Sequence, residues 1–131
     1  MKAVPWYDDI VAMIIGTVLA ALLGAPHANA AEWDNTDRVM FGTFVGLQVV
    51  DGLQTHWAVK HPDQFHEANP LLGTEPGDAK IILFKSAAVG LVYWLVKDAD
   101  SATRKTVLGV ADLMYIGVVG HNASIGVKVG F

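Results

Sequence analysis

The chain has 131 residues, 53% hydrophobic and 17% charged, with a mean hydropathy of +0.38. A soluble domain carries roughly 25% charged residues, so one domain of this length with this surplus of apolar surface calls for a non-aqueous surrounding. A net charge of −4, nine Lys and Arg without a basic run, and no cysteine exclude a nucleic-acid partner, disulfides, thiolate metal sites and cysteine nucleophiles.

The first apolar stretch, residues 10–25, holds sixteen residues without a charge and is followed by Pro26 and the small-residue run Ala28-Asn29-Ala30-Ala31. It reads in two ways. As a secretory signal it has a long apolar region and an A-x-A site ending at Ala30, but only Lys2 stands in front of it, against Asp8 and Asp9. As a retained helix it is somewhat short of the ~20 residues that cross a bilayer, a deficit that Trp6 and Tyr7 at the interface can partly cover.

Three further segments of spanning or near-spanning length follow at residues 39–59, 81–96 and 107–127. Their flanks carry helix chemistry. Asn35-Thr36-Asp37, Glu75-Pro76-Gly77-Asp78 and Asp100-Ser101 precede them, Lys60 and Lys97 close the first two, and Pro62 and Pro70 fall between segments. None alternates apolar and polar residues as a strand would, and a membrane barrel needs more strands than this chain can supply. The fold class expected is all-α: a polytopic transmembrane bundle forming one domain over residues 1–131. It has four helices, or three if residues 1–30 are a cleaved signal, with residues 37–131 as a three-helix core. A soluble bundle is the competing reading, but so short a chain cannot bury helices that are apolar nearly all round. Orientation is undetermined: Lys2, Lys60, Lys80 and Lys128 fall on one side, Arg38, Lys97, Arg104 and Lys105 on the other.

A charge at the centre of a bilayer costs on the order of 3 kcal/mol on insertion scales, so such side chains turn inward and pair. Asp51, Lys85 and Asp112 lie one to a helix, and the simplest arrangement sets Lys85 against one aspartate or between both. Gln48, Asp51 and Thr55, at i, i+3 and i+7, share a face. A buried polar cluster of Gln48, Asp51, Thr55, Lys85 and Asp112 is therefore expected. The other side of the same helix carries Gly42 and Gly46, a small-xxx-small spacing that admits a neighbouring helix closely. This helix should accordingly be buried between neighbours. Gly126 and Gly130 repeat the spacing.

In the joint at residues 60–73, Glu67 precedes Asn69-Pro70, a pair suited to a tight turn. Asp51 and Thr55 one turn apart, the Glu67-x-Asn69-Pro70 loop and Lys85 on the following helix together resemble a family of small multi-helix membrane proteins, domain of unknown function family 5658. The resemblance spans roughly residues 38–95 and implies that these six residues form one site; the family brings no activity with it.

His56, His61 and His66 are spaced by five, which does not give one helical face, and no H-E-x-x-H pattern accompanies them; neither a metal nor another cofactor is expected. His121 and Asn122 can hydrogen-bond across helices. No G-x-S-x-G or phosphate loop occurs, and neighbours Lys85 and Ser86 point about 100° apart, so they form no dyad. Trp6, Trp33, Trp57 and Trp94 lie near helix ends, as interfacial aromatics do. The functional expectation is a small integral membrane protein of the bacterial inner membrane. It acts by helix–helix association, as a homo-oligomer or an accessory subunit of a larger membrane complex. The alternatives are a holin-like pore former of a phage and an intramembrane enzyme or transporter using Asp51, Glu67 and Lys85.

Overall fold

The computed structural model describes residues 31–65, 71–73 and 75–130. The expectations for residues 1–30, for His66 and for the loop motif Glu67, Asn69 and Pro70 lie outside them. Among the described residues the chain forms three helices and no strand: α1 (Asn35–Val59), α2 (Asp78–Val96) and α3 (Ser101–Ser124).

Helix boundaries follow local chemistry. Asp34 caps α1 through a reciprocal capping box: its Oδ1 accepts from the Asp37 N–H at 2.8 Å, and Asp37 Oδ2 accepts from the Asp34 N–H at 3.1 Å. Asp100 does the same work for α3, accepting from the Ala102 and Thr103 amides at 3.0 Å each. α2 starts behind Gly77 without a side-chain cap, and Lys60 and Lys97 are the C-caps of α1 and α2. α3 ends three residues before the expected position because Gly126 adopts φ +96°, a conformation glycine takes without strain. There the Val127 N–H donates to Asn122 O at 2.9 Å and the Gly126 N–H to Ala123 O at 3.1 Å, the Schellman pairing. Val127 is buried as the turn closes.

The helices run up, down and up. Trp33 Nε1 donates to the carbonyl of Lys97, and His56 Nδ1 lies 2.7 Å from Asp78 Oδ1, so α2 is antiparallel to α1. Asp37 meets Arg104 and Gln54 meets the Val119 carbonyl, so α1 and α3 are parallel. Val96, Val107 and Leu108 form an apolar core at the Arg104 end, with Trp33, Met40, Phe41, Val92 and Leu95 packed on it. Trp33, Phe41 and Tyr93 make an aromatic cluster with ring centroids 5.6–6.1 Å apart. Phe44 meets Tyr115 edge to face further along.

Beside these apolar contacts, much of what the bundle buries is polar, and many large apolar side chains stay outside. Asp37, Gln48, Asp51, Gln54, Thr55 and Arg104 are all buried, whereas Val39, Val49, Ile82, Leu83, Leu91, Trp94, Leu113 and Ile116 are exposed, Leu113 by 72%. Along α1 the inward stripe is Asp37, Phe44, Gln48, Asp51, Thr55 and Ala58, a seven-residue alternation of threes and fours. α2 buries only Ile81 and Val96 and is the one described helix long and apolar enough to cross a membrane by itself. α1 and α3, at 25 and 24 residues, have the length, about 36 Å or more at 1.5 Å per residue, but carry the polar side chains.

Candidate functional site

Two polar centres link the helices. The first lies toward the C-terminal half of α1. Lys85 Nζ on α2 donates to Asp51 Oδ2, with both side chains largely buried. Asn122 Nδ2 on α3 donates to Asp51 Oδ1 at 3.2 Å and to Gln54 Oε1 at 3.1 Å, and Gln54 Nε2 donates to the Val119 carbonyl at 3.2 Å. The Lys85 ammonium also sits 5.9 Å from the Phe84 ring centroid and 5.8 Å from that of Tyr115, within cation–π range. Each oxygen of Asp51 thus accepts from a different helix. A carboxylate engaged on both oxygens from two different helices and neutralised by an ammonium is suited to holding those helices together.

The structure brings Asp51 and Lys85 together and sets Gln48 and Thr55 on the same buried face of α1. Gln48 has no hydrogen-bond partner on either amide atom among the described residues. Asp112 is not part of the cluster. It stands ten residues before Asn122 on α3, about 15 Å along the axis, and its buried Oδ1 accepts no hydrogen bond among the described residues. The arrangement with Lys85 between two aspartates therefore gives way to a single pair, completed by Asn122 and Gln54. The Gly42 and Gly46 face also departs from expectation: both glycines are exposed, and the position of an added Cβ meets nothing within 4 Å at either. α1 buries its polar face, while its small-residue face stays open among the described residues.

The second centre was counted at the sequence level only as flanking charge. Arg104 and Asp37 are both fully buried and joined by a 2.8 Å hydrogen bond from Nη1 to Oδ2. Arg104 Nε donates to the Val96 carbonyl at 3.1 Å, and Nη2 donates to the carbonyls of Ala99 at 2.8 Å and Ala31 at 2.7 Å. Nη1 also donates to Glu32 O at 3.4 Å. The five guanidinium donors are therefore all engaged, and the group lies 4.9 Å over the Trp33 ring. Lys105 adds an outer layer, donating to Asp34 Oδ2 at 2.7 Å and Ser101 Oγ at 2.6 Å, and its Nζ lies 3.8 Å from Asp37 Oδ1. One residue thus ties the entry to α1, the exit of α2 and the first turn of α3.

Comparison of the chain with family models, with curated proteins and with solved structures gives no match.

His56 and His61 are engaged with neighbouring side chains and backbone. His56 pairs with Asp78, while His61 stacks on Trp57 at 3.9 Å between ring centroids, its Nδ1 2.8 Å from the Trp57 carbonyl. Among the described residues no three His, Cys, Asp or Glu side chains are grouped to hold a metal ion.

The Arg104 end has a defined acid response. Burial pushes the Asp37 carboxyl up, but the hydrogen bond from Arg104 and the Asp34 amide outweigh it and hold it below the ordinary carboxylate value. Lys105 draws Asp34 down, and the Thr103 hydroxyl and amide draw Asp100 down. For groups with lowered values in the folded state, the stabilisation is complete above the ordinary carboxylate value of ~4 and is lost as pH falls through the lowered ones. Melting temperature in mild detergent should therefore hold down to about pH 4 and fall below it. Asp34→Asn and Asp37→Asn should flatten that acid limb.

Proposed function

We propose that the chain is a small integral membrane protein that works by helix–helix association, as copies of itself or as a subunit of a larger assembly in a bacterial inner membrane. One observation carries the reading: the bundle places six polar or charged side chains inside and turns large apolar side chains outward on all three helices. In water that distribution forfeits the hydrophobic driving force and costs the desolvation of an ion pair; in lipid each exposed Leu, Ile and Val meets a solvent of its own kind, and the polar groups are sheltered. α2 supplies the apolar span, with α1 and α3 entering beside it once Asp51 and Lys85 are joined. Asp51, Thr55 and Lys85, three of the six residues on which the resemblance to family 5658 rests, meet or share a face at this junction, which supports keeping that resemblance within the proposal.

The association face is the open side of α1, where Gly42 and Gly46 let a second helix backbone approach closely. The test uses the open space around those glycines. The wild-type chain should resist alkaline carbonate extraction and appear in native mass spectrometry from mild detergent as a multiple of its protomer or with a companion. Gly46→Leu should abolish that association while the protomer melts no lower, since its side chain enters open space and relieves about 0.5–1 kcal/mol of helical glycine cost. Release by carbonate overturns the membrane reading; a wild-type monomer without companions overturns the association.

A further inference from the structure

We infer that Asp112 is where a different membrane subunit docks, through a helix that carries a lysine or arginine midway across the bilayer. The inference rests on the membrane reading above. Asp112 is the twelfth of the 24 residues of α3, which puts it about 17 Å from either end and near the middle of a ~30 Å hydrocarbon core. A carboxylate at that depth needs a cation or a set of donors. Among the described residues it has neither: Oδ1 is buried without a hydrogen bond, no ion pair forms, and the residue as a whole is half-buried, open in part to the outside.

The chain does not supply the missing charge itself. Lys85 is joined to Asp51 and Arg104 to Asp37, and the other described Lys and Arg stand near helix ends or beyond them. Residues 10–25 hold no charge at all. A second copy has its own Lys85 and Arg104 engaged in the same way, so at this depth it would set only another carboxyl against the first. The cation therefore comes from a different chain. The surface around Asp112 admits one: Gly109, Asp112, Leu113, Ile116 and Gly120 recur by threes and fours along one face of α3. Leu113 and Ile116 are exposed by 72% and 52%, and an added Cβ at Gly120 meets nothing within 4 Å, whereas at Gly109 it comes 3.4 Å from Met40 Cε of α1. The face is apolar, open to a neighbour and bordered by α1, with one carboxyl in its middle. An apolar helix with a single central cation matches it in depth and in charge.

The experiment places the full chain in phosphatidylcholine vesicles with synthetic Leu/Ala transmembrane peptides of ~20 residues that differ only in a central Lys, Leu or Glu. Energy transfer from the chain's tryptophans to a dansyl group on the peptide reads binding. The Lys peptide should bind about tenfold more tightly than the Leu peptide. Asp112→Asn should remove that preference while melting no lower than wild type, because the carboxyl supports no internal contact, and Asp112→Lys should transfer the preference to the Glu peptide. Equal affinity of the wild type for the Lys and Leu peptides, as a carboxyl that stays protonated alone would give, overturns the inference. So does a Lys preference that survives Asp112→Asn, which assigns the binding to another carboxylate, or an Asp112→Asn chain that fails to fold, which gives the carboxyl an internal partner. If Asp112→Asn abolishes self-association without peptide, the occupant is a second copy and the different subunit is rejected. A chain that carbonate strips from the vesicles fails the membrane reading itself, whereas one that stays and shows no preference fails only the docking, so the two failures are separable.

Discussion

Replacing Arg104 with methionine is expected to lower the unfolding free energy by about 3–5 kcal/mol, the cost of removing one partner from a fully buried ion pair. The loss has two sources. Asp37 keeps its carboxyl at zero exposure with its hydrogen-bonded cation gone and only Lys105, 3.8 Å from Oδ1, left as counter-charge, and the carbonyls of Ala31, Glu32, Val96 and Ala99 lose the donors that converge on them. Arg104→Lys should recover little, because one ammonium with three protons cannot reproduce a planar fork serving carbonyls on three stretches of chain. Thermal unfolding in mild detergent, followed by far-UV circular dichroism, reads the difference directly. If Arg104→Met melts within the error of wild type, the guanidinium is not a structural hub.

The second large effect is expected at Asp51 and Lys85. Asp51→Asn leaves an unneutralised ammonium, and Lys85→Met an unneutralised carboxylate held only by Asn122; each single change should cost about 3 kcal/mol or more. The double change removes both charges, and Asn at position 51 can still accept from Asn122, so stability should return to within about 1 kcal/mol of wild type. A double-mutant cycle with accumulation in the membrane and native mass as readouts also weighs the alternative functions. Recovery of both in the double variant identifies a clasp; a double variant that folds and assembles but loses a cellular phenotype assigns the pair a chemical task.

The helices were legible because their signals are local. Asp34, Asp37 and Asp100 mark starts through their own backbone contacts, Lys60 and Lys97 mark ends, and each apolar stretch is long enough to leave no other choice. The Asp51 and Lys85 pair was legible because a lone charge on an apolar helix has few affordable partners. Gln54 and Asn122 were harder: a neutral amide costs less to expose, so its presence on a helix does not force a partner, and which amide meets which depends on the rotation of α1 against α3. Asp112 went astray for the same reason, since its place on a third helix said nothing about depth, and the parallel course of α1 and α3 sets Asn122 opposite Asp51 instead. Arg104 offered a clue that went unread. It lies in the first turn of α3, where the positive end of the helix dipole disfavours a cation, and a cation there implies a carboxylate brought from elsewhere. Asp37 is that carboxylate.

The uneven sharing of apolar character among the helices has a consequence for how the chain is made. Among the described helices only α2 is long and apolar enough to cross a membrane by itself, whereas α1, synthesised before it, carries Gln48, Asp51 and Gln54 with no counterpart until Lys85 has left the ribosome. On the membrane reading α1 must wait at the translocon until α2 arrives to neutralise it. A pulling-force profile during translation should then show its main insertion event only once α2 has emerged, and Lys85→Met should weaken or abolish it.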